Sequence, residues 1–255
     1  MAKVTIPQAL IPVPATMAHL ARDPDHYNLP VPYFVGLVRD KSGQLAPDYR
    51  TVEHGVREAC QATNRCWICG KFLTKPCSLV IGPMCLINRI SSEPAAHQEC
   101  ARYAARACPF LSTPNRKRRE KDLPAGIIPP PGDHSPDNPG AAFVVHLPKP
   151  PKRRKDDLYH FPKILDVEVF RHGEPVFGLD RLPEFAAGAR RLCQLAADIG
   201  PRNVAGFMAQ LTPATRLLVG EKNFLEAGRR ILDSLQDLPH VRGWTVAAMP
   251  SEAAQ

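Results

Sequence analysis

The spacing of apolar residues changes period along the chain, and each change marks an element. Residues 31–38 (VPYFVGLV) form a short apolar run, residues 40–43 (DKSG) a polar break, and residues 47–52 a second extended stretch, which together predict a β-hairpin. Val52, Val56 and Ala59 then fall at helical spacing within residues 51–62, behind Thr51 as a capping hydroxyl. Further on, residues 164–170 (ILDVEVF), a turn at 171–174 (RHGE) and residues 175–179 predict a second hairpin. Two helices are predicted after it. One covers residues 182–199, with Phe185, Ala189, Leu192, Leu195 and Ala196 on one face. The other covers residues 221–235, with Phe224, Leu225, Ala227, Ile231, Leu232 and Leu235.

Composition separates these elements into regions. Of 255 residues 44% are apolar, enough to bury a core, but 28 are proline and only 7% aromatic, so part of the length is expected to be extended. The formal charge of +8 is concentrated: residues 112–155 hold ten Lys and Arg against four acidic residues, and ten of the prolines. That segment reads as a basic, proline-rich connector. The expected organisation is an N-terminal domain over 1–111, the connector over 112–156, and a smaller α+β C-terminal domain over 157–250. The apolar stretch 141–147 (AAFVVHL) is a candidate packing surface between them.

Prolines interrupt the N-terminal apolar stretch and Asp23 and Asp25 follow it, so no secretory signal is read there, and no run of about 18 apolar residues marks a membrane span. A cytoplasmic protein without a membrane partner is expected. In such a reducing setting eight cysteines point to metal rather than disulfides, especially as seven of them lie between Cys60 and Cys108.

The spacing within that cluster suggests which residues ligate. Cys66-Trp67-Ile68-Cys69-Gly70 places two thiolates on a tight turn, with a glycine to let the backbone reverse while its amides face sulfur. His97 and Cys100, three apart at the start of an alanine-rich helical stretch, share a helix face and can converge on the same ion. The ion expected is zinc (Zn2+), with Cys66, Cys69, His97 and Cys100 as ligands and Cys85, Cys77 and Cys108 as alternates. Cys108 lies about 12 Å along a continuous helix from Cys100 at 1.5 Å per residue, so Cys85 is the better substitute. The spacing lacks the close runs of an iron–sulfur protein. Between the pairs, residues 71–73 and 78–81 are expected to form a hairpin across Lys75-Pro76. Knuckle, hairpin and helix-borne ligands in that order resemble the treble-clef zinc fold.

The motifs CWICG, IGPMC and HQECARYAARACPFL together resemble the signature of a family of uncharacterised cysteine-rich proteins carried by phages and bacteria, over about residues 29–145. The resemblance implies homology and a phage or mobile-element setting. It carries no catalytic residue.

Three function classes follow. The basic residues Arg116, Lys117, Arg118 and Arg119, with Lys152, Arg153, Arg154 and Lys155, are candidate contacts to DNA or RNA phosphates, held by the zinc-built scaffold. Alternatively the zinc stabilises an adaptor for a host protein. The third class, an HNH-type nuclease, needs a histidine on the hairpin beside a divalent ion. Residues 71–81 contain none, so no catalytic residue is assigned. His54, His134, His146, His160 and His172 are expected to be surface or structural, Asp156 and Asp157 a solvated charge cluster, and Cys193 a core residue.

Overall fold

The structure is a computed structural model that describes residues 10–39, 43–113, 116–117 and 138–245. An N-terminal strap with a 3₁₀ turn at Ala15–Met17 leads into two short paired strands, β1 (Arg22–Asp23) and β2 (Leu29–Pro30). The first predicted hairpin follows as β3 (Val35–Arg39) and β4 (Leu45–Val52), antiparallel. Then comes α1 (Val56–Thr63), which Asn64 ends in a left-handed conformation, its amide closing on the carbonyl of Cys60.

The middle of the chain supplies β5 (Cys77–Ile81), α2 (Pro83–Asn88), β6 (Ile90–Ser91), α3 (Gln98–Ala107) and α4 (Pro109–Ser112). After residue 138 come β7 (Ala142–Leu147), β8 (Lys152–Arg153), β9 (Tyr159–His160), β10 (Asp166–Arg171) and β11 (Glu174–Val176). Three helices close the fold: α5 (Leu182–Ile199), α6 (Pro201–Val219) and α7 (Glu221–Asp233).

The main sheet is antiparallel with strand order β11-β10-β7-β5. Every residue of β7 is buried. Because successive side chains point to opposite faces, this means that both faces of the sheet are covered at its centre. Helix α3 lies against β5 and β7, α2 against β7, and α6 against β10. At Gly188 on α5 an added Cβ would come within 2.8 Å of Pro83, so the glycine permits the close approach of α5 to α2. Among the described residues no helix is long and apolar enough to cross a membrane.

Mixed helix and antiparallel strand agree with the α+β expectation, and both predicted hairpins, β3–β4 and β10–β11, form. The hairpin expected between residues 71–73 and 78–81 does not. Phe72 instead bridges to Arg65, and β5 pairs with β7 from Cys77↔Leu147 to Ile81↔Phe143. The reason is burial: four of the five β5 side chains are buried and need a partner strand inside the core, whereas Phe72 is 69% exposed. The sheet therefore joins β5 from the expected N-terminal region, β7 from the expected connector, and β10 and β11 from the expected C-terminal region. Prolines and charges on either side of β7 hid a core strand. Residues 114–115 and 118–137 of that segment lie outside the described residues.

Helix α6, which contains Pro201, Gly206 and Pro213, lies between the two predicted C-terminal helices and is not among the elements read from the sequence. Pro201 sits in the first turn, where no amide donor is needed, and Pro213 is tolerated inside a helix whose apolar face is held by α5 and α7.

Candidate metal centre

The knuckle is built by backbone bonds. Cys66 N–H donates to Lys71 O at 2.8 Å and Gly70 N–H to Cys66 O at 2.8 Å, closing a tight loop. Gly70 has φ 72°, and a Cβ there would meet the Tyr33 ring at 2.8 Å, so both conformation and space require glycine. The loop is pinned from two sides, by Trp67 N–H to Ala95 O at 3.0 Å and Tyr33 N–H to Ile68 O at 2.8 Å, while the Trp67 ring stacks on Phe34 with centroids 4.7 Å apart.

The second pair arrives on α3. His97 is the N-cap, with extended backbone, and Cys100 lies in the first turn, where unpaired amides and the helix dipole favour a thiolate. The position of His97 is set by β5: Ala96 and Ser78 exchange two backbone hydrogen bonds of 2.8 Å each. Sheet and ligand are thus one structure.

Cys66 Sγ, Cys69 Sγ, His97 Nδ1 and Cys100 Sγ all lie within 4.8 Å of one another, and all four residues are buried. His97 Nδ1 is 3.4 Å from Cys69 Sγ and 3.8 Å from Cys100 Sγ. A tetrahedral ion with bonds of about 2.3 Å to sulfur and about 2.0 Å to nitrogen requires sulfur–nitrogen separations of about 3.5 Å. The two sulfur–nitrogen separations are therefore close to those of a tetrahedral metal site, and the group can hold a metal ion.

The surroundings tune the donors. Hydrogen bonds with Cys100 and Cys69, outweighing burial and joined by the amides of Cys69 and His97, push the Cys66 thiol far down, and the same proton sharing pushes Cys100 up. The Cys69 and His97 amides lie 3.4 Å from Cys66 Sγ. His97 Nε2 lies 2.9 Å from Phe72 O, so the protonated Nε2 donates there and Nδ1 keeps its lone pair for a metal. Two contacts come from the distant N-terminal strap: Thr16 Oγ1 is 3.3 Å from Cys100 Sγ and His19 Nε2 is 3.0 Å from Cys69 O. Nothing local in the sequence signals either residue, since 84 and 50 positions separate them from their partners.

The alternates stand outside this group. Cys77 begins β5, Cys85 lies on α2 and Cys108 joins α3 to α4. Burial pushes the Cys77 thiol up to about 12 and raises that of Cys85 as well, the state of a small hydrophobe rather than a ligand. Cys193 is fully buried in α5.

The basic candidates differ in their surroundings. Arg116 and Lys117 are exposed, while Arg118 and Arg119 lie outside the described residues. Lys152, Arg154 and Lys155 are exposed on and beside β8, but Arg153 is bound by Glu58 and Asp157, each at 2.7 Å. Asp156 pairs with His160 at 2.8 Å. The acidic pair thus serves the hairpin's own ion pairs.

Ser78, His146 and Glu168 form a chain, buried at Ser78 and His146 and partly open at Glu168, in which Ser78 Oγ is 2.7 Å from His146 Nδ1 and His146 Nε2 is 2.6 Å from Glu168 Oε1. The residues are those of a hydrolase triad, but the ring nitrogens are reversed, with Nδ1 rather than Nε2 on the serine, and Ser78 is 0% exposed, closed to a substrate. The chain serves as a polar staple across β5, β7 and β10, extended by Arg102 of α3, which binds Glu168 at 2.6 Å.

A buried Cys3His group that can hold a metal, in an α+β fold, is thus the candidate site among the described residues, and comparison with protein-family models, curated proteins and solved structures yields no match to any of them.

Proposed function

We propose that this chain is a non-catalytic binding protein organised by a structural zinc ion in a module that keeps the knuckle and ligand-bearing helix of a treble clef without the expected hairpin, and that this module holds basic residues for contact with nucleic-acid phosphates. The observation that carries the zinc part is the donor set: Cys66, Cys69, His97 and Cys100 bring four buried protein donors within 4.8 Å of one another, enough for the all-protein four-coordination of structural rather than catalytic sites. Zinc bound there supplies folding free energy by linking the knuckle to α3. An HNH-type role is disfavoured because both nitrogens of His97 are engaged, Nδ1 with the thiols and Nε2 with Phe72 O.

Exposure of Arg116, Lys117, Lys152, Arg154 and Lys155 supports the phosphate part. The resemblance of the cysteine motifs adds a phage or mobile-element setting. The test is filter binding to duplex DNA, single-stranded DNA and RNA. If about five phosphates are neutralised, log affinity for duplex falls with log salt at a slope of roughly −4 to −5. Replacing Arg116, Lys117, Arg118 and Arg119 by Ala should lower that slope for all sequences alike, because phosphate contacts carry no sequence information.

A protein-interaction adaptor is the second reading, favoured by one observation: Arg153 is already paired with Glu58 and Asp157, so this arm offers a polyanion less charge than its sequence promises. Absence of binding at about 50 mM salt would select it.

A further inference from the structure

Residues 14–20 run over the metal centre although they precede the first ligand by more than forty positions. They form a 3₁₀ turn closed by Met17 N–H to Pro14 O at 2.9 Å, Ala18 N–H to Ala15 O at 3.3 Å and Leu20 N–H to Met17 O at 3.1 Å. The Met17 side chain is 1% exposed and anchors the turn in the core, with Ile11 buried upstream. On either side of that anchor the strap touches one ligand from each half of the site: Thr16 Oγ1 lies 3.3 Å from Cys100 Sγ, and His19 Nε2 lies 3.0 Å from the carbonyl of Cys69.

These contacts have distinct chemistry. A thiolate bound to a metal carries no proton, so at 3.3 Å the Thr16 hydroxyl is the donor to Cys100 Sγ. That bond stabilises the anionic sulfur and occupies a direction from which a proton or a competing chelator would attack it. His19 Nε2–H, donating to Cys69 O, ties the strap to the knuckle. Thr16 is only partly exposed, whereas His19 is open to solvent, so the strap closes the centre with its inner residue and latches with its outer one.

We propose that residues 14–20 are a latch that slows loss of the metal: Thr16 guards the Cys100 sulfur, Met17 seats the turn, and His19 fastens it to the knuckle. The inference rests on the zinc reading above. Thr16 and His19 act here as positioning residues that set the rate of metal exchange rather than as ligands.

The test uses the full zinc-loaded chain and a colorimetric chelator, reading the rate of zinc transfer at neutral pH. Groups around metal ligands typically alter metal affinity by 10- to 100-fold, so Thr16→Val should release zinc about tenfold faster. Thr16→Ser, which keeps the hydroxyl, should restore the wild-type rate, a rescue that a packing role for the methyl group alone would not give. His19→Ala should also accelerate release, and because His19 is exposed this variant remains informative if Thr16→Val does not fold. Equal transfer rates in the wild type and His19→Ala, or in the wild type and a folded Thr16→Val, with zinc bound in each, overturn the latch alone. A wild-type chain that carries no zinc overturns the zinc reading, and the latch with it.

Discussion

His97 is oriented by Phe72: its Nε2 lies 2.9 Å from the Phe72 carbonyl, which leaves Nδ1 directed at Cys69 Sγ, 3.4 Å away. The carbonyl belongs to the chain leaving the knuckle, and the imidazole to the start of α3. The tautomer that can ligate is therefore selected only when the two halves of the centre have come together.

The first expectation follows from that closure. Purified protein should carry about one zinc per chain by elemental analysis, and Cys66→Ser or Cys100→Ser should remove it together with much of the stability of the surrounding region. Chelation should make residues around the knuckle susceptible to protease. A metal-free protein, or a brown one with iron–sulfur absorption, would count against the assignment.

Trp67 provides an optical readout. It is 3% exposed, lies between the two knuckle cysteines and stacks on Phe34. Removing the metal should loosen this stack and shift its fluorescence to longer wavelength, while Trp67→Phe should abolish the shift. Persistence of the shift in that variant would assign it to Trp244.

Acid should weaken the sheet through Glu168. Burial raises its pKa, but hydrogen bonds from Arg102 and then His146 outweigh burial and hold the carboxyl below its ordinary value of 4.5. A carboxylate depressed by folding contributes stability above its unfolded pKa and loses it as pH falls through the folded one. Thermal melts of Glu168→Gln should therefore lie below wild type at pH 7 and approach it as pH falls below the ordinary value of 4.5 and through the lowered folded one. Asp48, held down by Arg50, and Asp23, held down by Tyr49 and His26 against burial, should make both proteins acid-sensitive to a common extent. An undiminished gap at low pH would show that Glu168 acts through packing alone.

Phe143 should be among the costliest core positions. It is 0% exposed on β7 and pairs with Ile81 of β5 and Val169 of β10. Phe143→Ala should cost about 3–5 kcal/mol in denaturant unfolding, since the cavity would be enclosed between both sheet neighbours and the covering helices. A loss below about 1 kcal/mol would mean that the centre of the sheet repacks freely.

What the sequence determined by itself is local. The turn of Cys66 to Gly70 and the three-residue spacing of His97 and Cys100 depend on neighbouring backbone geometry, so the donor pairs can be read from spacing, as can β3–β4, β10–β11, α5 and α7 from their periods. Tertiary structure decided the rest. Cys77 and Cys85 carry the same thiol as Cys66, and only their position outside the cluster of donors separates them from ligands. The partner of β5 was settled by its need for burial on both faces, which β7 meets and residues 71–73 do not, and α6 spans Pro213 because α5 and α7 hold it. Thr16 and His19 reach the centre across 84 and 50 positions, and contacts at such separation depend on how the whole chain packs rather than on any pattern near them.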